Sequence, residues 1–504
     1  MESSALRDYL ANNKIDDCDI GFMAYLANLS EISRAAPNVA QSIVQELADQ
    51  RSNLKLIASE NYCSLATQCA MANLLTDKYA EGFPGHRFYA GCDNVDAIEA
   101  YAARQACALF GCDHAYVQPH SGADANLIAF WAILNAKVST PSLKALGDAN
   151  PSHLSQADWE ALRKKLGGQR LLGMDYYSGG HLTHGYRHNV SAQMFDAYSY
   201  GVNKETGLLE YDVIERTALE LKPLILLAGY SAYPRLIDFK RLRNIADAAG
   251  SVLMVDMAHF AGLVAGGVFT GDFNPVAHAQ VITSTTHKTL RGPRGGLILC
   301  SKEFAEHVDK GCPLVIGGPL EHIIAAKAVS LAEANTPQFK AYAKQIVENA
   351  QALARGLMDE GITVATGGTD NHLMLVDVRP FSLTGRQAES ALRECAVTLN
   401  RNSLPFDPNG PWYTSGLRIG APAVTTLGMG KTEMKEIAGI IALVLKNTKA
   451  EKSVTGENPA KPSKAKYCVD ERIKKEAKLR VKNLLRAFPV YPNLDLELMQ
   501  KYFG

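Results

Sequence analysis

The sequence predicts an α/β fold: a mainly parallel, mixed sheet with flanking helices, followed by a smaller α+β domain. Three observations carry this expectation. LILLA (224–228) and VLMV (252–255) are continuous apolar runs, as expected of strands buried on both faces. Between them Phe239, Leu242, Ile245, Ala246 and Ala249 recur at helical spacing, and Gly250 stands where a C-cap belongs. Strand, helix and strand with short links form a βαβ unit, so the two strands run parallel.

Residues 1–55 mix polar and small apolar residues and read as a peripheral helical arm. From 56 to 334 apolar runs alternate with helical patterns, giving one large domain. Residues 137–170 interrupt that rhythm. Thr140, Pro141, Asn150, Pro151 and Ser152 are turn formers, and SQADWEALRKKL (155–166) reads as a short capped helix, so the stretch is a surface excursion. From 335 to 504 long helical patterns and the strand candidate HLMLVDV (372–378) define a small C-terminal α+β domain. Within it, residues 448–466 are rich in Lys, Glu, Ser and Pro and lack apolar periodicity, which predicts a flexible linker. A charged helix follows at about 470–486.

The chain has 504 residues, with 52 Lys+Arg against 52 Asp+Glu. Zero net charge argues against a polyanion-coating protein, and a single RGPR string is weak evidence for nucleic acid. The longest candidate for a membrane span, 252–269, is broken by Asp256 and His259. Ten cysteines are scattered without a CxxC pair or zinc spacing, so reduced thiols and no metal site are expected. The acids Glu2, Asp8, Asp16, Asp17 and Asp19 fit neither a secretory nor a transit peptide, and the expected location is cytoplasmic.

Three strings carry chemistry. In TSTTHKTLRGPRGG (283–296), Lys288 lies close to Arg291 and Arg294, and neighbouring cations favour the neutral amine that forms a Schiff base. The plain alternative is a surface lysine in a basic loop. In VLMVDMAH (252–259), Asp256 closes a buried strand, where open α/β sheets bind ligands, with His259 on the same rim. A buried acid needs a partner, either a protonated pyridine nitrogen or a structural arginine. In QPHSGADAN (118–126), Ser121 and Gly122 precede a helical run and could cradle a phosphate, a weak signal by itself. Together the three are the handles of pyridoxal 5'-phosphate (PLP).

The chain resembles the serine hydroxymethyltransferases, PLP enzymes of fold type I, the aspartate-aminotransferase-like fold. The likeness runs in order from LIASEN (56–61) through KYAEGFPGHRFYAG (78–91), QPHSGADAN and GGHLTHG (179–185). It continues through GYSAYPR (229–235), VDMAHFAGLV (255–264), TTHKTLRGPRGG (285–296), GGTDNHL (367–373), NRNSLPFDP (400–408) and SGLRIGAPAVTT (415–426). The resemblance implies that Lys288 carries PLP, Asp256 pairs with its ring nitrogen and His181 stacks on the ring. Ser231 and His259 would lie near the ring oxygen, with Ser121, Gly122 and His287 at the phosphate. Arg418 would clamp the substrate carboxylate, and Asn402 would help to hold folate. Ser59, Tyr79, Glu81 and Tyr89 would surround the substrate side chain. Tyr79, Glu81, Tyr89, Gly317 and Gly318 would serve the neighbouring subunit of a homodimer with shared active sites. His184 and His372 read as structural.

The implied reaction is reversible transfer of the serine hydroxymethyl group to tetrahydrofolate, giving glycine and 5,10-methylenetetrahydrofolate, with Glu81 managing protons. Folate-independent aldolase or alanine racemase activity is the rival within PLP chemistry, and an idle binding scaffold the rival outside it. Asp124, Ser178, Ile316, His86 and the region of Cys312 depart from the family pattern. They are expected near the folate entrance, away from the PLP handles.

Overall fold

The computed structural model describes residues 5–452 and 462–504. A seven-stranded sheet lies at its centre. In chain order its strands are β1 (His114–Tyr116), β2 (Arg170–Met174), β3 (Asp196–Tyr200), β4 (Ile225–Gly229), β5 (Val252–Asp256), β6 (Val281–Thr285) and β7 (Gly296–Cys300). They lie side by side as β1-β7-β6-β5-β4-β2-β3. β7 runs antiparallel to both neighbours, and the remaining pairs are parallel. The apolar runs of β4 and β5 are buried throughout because helices cover both faces. The helix Phe239–Ala249 packs on one face through Phe239, Leu242 and Ile245, and ends at Gly250 with φ 72°. The helix Gly122–Leu134 packs on the other through Ile128, Phe130 and Ile133.

The register places Gly229, Asp256 and Thr283 side by side. Gly229 has φ 121°, and a Cβ there would stand 2.1 Å from the Asp256 carbonyl oxygen. Only glycine fits this close turn, which leads the chain into Tyr230 and Ser231.

A second sheet holds β8 (Thr363–Val364), β9 (Leu373–Asp377), β10 (Asn400–Asn402) and β11 (Gly416–Gly420), ordered β8-β9-β11-β10 and antiparallel throughout. The helices Pro337–Asp359 and Lys431–Lys446 cover it, with Leu353, Leu357, Ile437 and Ile441 meeting Met374, Val376, Leu417 and Ile419. The N-terminal helices Ile20–Ala35 and Pro37–Ser52 pack with the last helix, Leu496–Phe503, joining the two ends of the chain in one apolar cluster.

The excursion contains the expected helix, Gln156–Gly167, whose first turn is capped by Ser155 Oγ accepting from Asp158 N at 3.2 Å. The linker expected at 448–466 is corrected in part. β12 (Thr448–Lys452) and β13 (Pro462–Val469) form an antiparallel ribbon, and residues 453–461 lie outside the described residues. Ala450 and Tyr467 pack against the second core, and Gln387 Nε2 donates to the carbonyls of Ser463 and Lys466 at 2.7 Å each. Such a ribbon alternates half-buried with exposed polar residues, so it carries no apolar signature. Among the described residues no helix is long and apolar enough to cross a membrane, and no His/Cys/Asp/Glu group could hold a metal ion.

Candidate active site

The site lies at the carboxyl ends of β4, β5 and β6. Asp256 is buried there, and both of its oxygens have partners. Oδ2 accepts from Asn126 Nδ2 at 2.9 Å and lies 3.2 Å from His184 Nε2. Oδ1 accepts from Ala258 N at 3.0 Å. Burial alone would raise its pKa. The contact with His184 and the Asn126 bond outweigh burial and hold it well below the usual range. A second tier fixes the first: Thr283 Oγ1 donates to Asn126 Oδ1 at 2.6 Å, and Asn126 Nδ2 also reaches Thr183 Oγ1 at 2.7 Å. Asp256 is therefore a fixed anion below the sheet rim, suited to a protonated ring nitrogen.

Lys288 follows β6 by three residues. Burial, aided by Arg418 and Arg294 and opposed by Asp256, pushes its amine down to about 8. A substantial neutral fraction at mild pH is what a Schiff-base lysine requires. Its backbone is pinned: the Lys288 carbonyl accepts from Asn61 Nδ2 at 2.9 Å and from Arg291 N at 3.0 Å. The neighbouring imidazoles are kept neutral. Burial, with Lys288 and Arg418 contributing, lowers His181 to about 4 and His372 to about 3, and pushes His259 well below its ordinary value. His181 Nδ1 accepts from Thr183 N at 3.2 Å, which leaves Nε2 as the protonated nitrogen of a neutral ring fit for stacking. His259 Nδ1 lies 3.2 Å from His372 Nε2, with the two rings stacked.

The structure fits a phosphate beside this group. Gly122 starts its helix against β6, and a Cβ there would stand 2.7 Å from Thr285 Cγ2. Ser121 Oγ caps the helix by accepting from Asp124 N at 3.2 Å, leaving the N–H groups of Gly122 and Ala123 for a ligand. His287 Nδ1 is buried without a hydrogen-bond partner, a donor position for a phosphate oxygen.

On the second sheet, Arg418 projects from β11. Its Nη1 donates to the Ser231 carbonyl at 2.7 Å and its Nε to Asn400 Oδ1 at 3.2 Å, while burial lowers its pKa to about 10. Ser59 arrives beside the same strand because Gly420 N donates to the Leu56 carbonyl at 2.8 Å and Ala58 packs on Gly420. Asn402, on β10, lies opposite Gly416 and donates to the Ser403 carbonyl at 2.7 Å.

Glu81 forms a separate cluster. Tyr79 Oη and Tyr89 Oη each lie 3.4 Å from one of its oxygens. Tyr79, Phe88 and Tyr89 are 55%, 71% and 44% exposed, a surface of aromatic rings around a carboxylate. Gly318 underlies the Tyr79 ring, at 3.2 Å from a built Cβ to Tyr79 Cζ. Gly317 accepts from Cys312 Sγ at 3.3 Å.

The serine hydroxymethyltransferase family profile matches residues 32–164 and 149–441. The chain belongs to this family. Among curated members, the serine hydroxymethyltransferase of Treponema pallidum is 61% identical over the whole chain and 87% of its own length. That of Salinispora tropica is 56% identical over 94% of the chain and 98% of its own length. That of Chlamydia muridarum is 49% identical over 99% of the chain and its entire length. PLP fold type I and the mixed central sheet expected from the sequence follow for this serine hydroxymethyltransferase family chain.

His184 and His372 read as structural from sequence; in the structure His184 touches the Asp256 carboxylate and His372 contacts His259. One expectation needs correction. The departures from the family pattern do not all avoid the PLP handles. Asp124 Oδ2 accepts from Ser121 Oγ at 3.0 Å, so its carboxylate shares the hydroxyl expected at the phosphate. Ile316 joins the apolar core beside the Gly122–Leu134 helix.

Proposed function

We propose that the chain transfers the hydroxymethyl group of serine reversibly to tetrahydrofolate, using PLP held by Lys288, Asp256, His181, His259, Ser231, Ser121, Gly122 and His287. The observation that carries this reading is Lys288 and Asp256 converging at one sheet rim, the first with its amine lowered to about 8 and the second held as an anion. When bound, PLP supplies an electron sink for bond breaking at the amino acid's α-carbon. Asp256 keeps the proton on the ring nitrogen because its own carboxylate is too stabilised to accept it. Arg418 orients the serine or glycine carboxylate with a planar fork, exchanging the Ser231 carbonyl for the ligand. Ser59 and Asn402 flank this clamp on the substrate and folate sides.

Glu81 moves the proton at the substrate hydroxymethyl oxygen, with Tyr79 and Tyr89 orienting its two oxygens. The exposure of this aromatic cluster supports a homodimer in which Tyr79, Glu81, Tyr89, Gly317 and Gly318 complete the neighbouring copy's site. Serine cleavage by the purified protein, with and without tetrahydrofolate, tests the activity. Folate-dependent glycine formation is expected, whereas equal rates without folate would favour an aldolase. Mixing Lys288→Ala with Glu81→Gln protein tests the shared site. Verified heterodimers should regain activity, because one of their two sites holds both intact residues. No recovery would place Glu81 in its own subunit's site.

A further inference from the structure

A buried lysine behind the phosphate turn belongs to no part of the mechanism above. Lys327 sits on the helix Glu321–Ala334 and is 1% exposed. Its Nζ donates to the carbonyls of Val117 at 2.6 Å, Pro119 at 2.9 Å and Gly296 at 2.9 Å. Three carbonyl acceptors need three N–H donors, which an ammonium has and a neutral amine lacks. Burial pulls this group down to about 7 while Glu99 and Asp124 pull it up, and the three acceptors decide for the charged form. Among the described residues no carboxylate lies within ion-pair distance of Nζ, so the three carbonyls are the hydrogen-bond partners of a buried cation.

The three carbonyls are not arbitrary. Val117 and Pro119 lead into the QPHSG turn that ends at Ser121 and Gly122. Gly296 opens β7, just after the loop that carries His287 and Lys288. The two segments also meet directly: Gly296 N donates to the Pro119 carbonyl at 2.9 Å, and a Cβ on Gly296 would stand 2.2 Å from the Ser121 carbonyl oxygen. A Cβ on Gly295 would stand 2.4 Å from Lys327 Cε, so a side chain there would push the lysine aside. Positive charge at this place also has work to do. Asp124 puts a carboxylate on the Ser121 hydroxyl, which opposes binding of a phosphate dianion.

We propose that Lys327 is the positioning residue of the phosphate cradle: its ammonium ties the QPHSG turn to the start of β7 and offsets Asp124 behind a bound phosphate. The proposal rests on the PLP reading and concerns the phosphate end alone. The test titrates PLP and pyridoxal, which lacks the phosphate, into full-length protein freed of cofactor, following cofactor absorbance. For Lys327→Met the dissociation constant for PLP should rise by about 10- to 100-fold, the range of lost charge-assisted bonds. That for pyridoxal should move by less than about threefold. Gly295→Ala keeps the charge but displaces it, and should show the same selective loss even if Lys327→Met does not fold. Unchanged PLP affinity, or equal weakening of both ligands, overturns the proposal. A parent protein that binds neither ligand brings down the cofactor reading and the proposal with it, whereas retained pyridoxal binding separates the two failures.

Discussion

His184 Nε2 lies 3.2 Å from Asp256 Oδ2, both buried. This contact is a main reason why the carboxylate remains an anion in a place that would otherwise neutralise it. Asp256 has a folded pKa below its ordinary 3.8, so its stabilising contribution is complete above that value and is lost as pH falls through the folded one. His184→Ala should shrink the contribution and cost about 1–3 kcal/mol through the lost partner of a buried group. Acid unfolding followed by circular dichroism should therefore begin at higher pH in the variant. An unchanged acid midpoint would show that Asn126 and Ala258 suffice.

Covalent attachment of PLP should depend on pH through Lys288. Its amine is lowered from 10.5 to about 8, so the neutral, reactive fraction grows as pH rises and is half-maximal near pH 8. Borohydride trapping at a series of pH values, followed by peptide mapping, measures both the profile and the residue. Lys288→Ala should abolish the trapped adduct. Label on another lysine would refute the cofactor assignment.

Arg418→Lys should weaken serine and glycine together. A point charge replaces a planar fork, and the lost charge-assisted bond corresponds to about 10- to 150-fold in affinity. The variant should still bind PLP, because Arg418 is not among the residues proposed to hold the cofactor and reaches Ser231 only through its backbone carbonyl. Equilibrium titration with glycine reads this directly, and parental affinity would remove Arg418 from the clamp.

The chemistry of the site was legible where it lies in one string. Lys288 follows β6 within three residues, and Asp256 ends β5, so strand, turn and functional group are read together. Contacts between distant strings were not legible. Asn126 is 130 residues from Asp256, and Lys327 is 208 residues from Pro119. Neither contact is marked locally, because the partner of a polar side chain within a helix is unknown until the packing is known. The β12–β13 ribbon was hidden for another reason, since strands that bury little apolar surface have no period to detect. Asp124 shows a third limit: the substitution was visible, but its contact with the Ser121 hydroxyl depends on how the helix is capped.

Glu81 offers the most discriminating test of the proposed chemistry. Its carboxylate meets the hydroxyls of Tyr79 and Tyr89, whereas Asp256 and Lys288 are held by other residues. Glu81→Gln keeps the shape and removes the titratable proton. Cofactor binding should survive, and glycine should still bind at Arg418. Serine formation with tetrahydrofolate should fall by about 10²- to 10⁴-fold, the usual loss for a general acid–base. Racemisation or transamination of alanine involves no hydroxymethyl oxygen and should fall far less. Both activities are measured on one preparation of the variant, so differences in cofactor content cancel. An equal fall in both would mean that Glu81 supports the loop formed by residues 78–91 rather than moving a proton. Arg87 already anchors that loop by donating to the carbonyls of Ala80 and Gly82 at 2.8 and 2.9 Å and to the buried Glu99 at 2.7 Å. With the loop held independently of the Glu81 carboxylate, a selective loss of the folate-dependent reaction is the expected result.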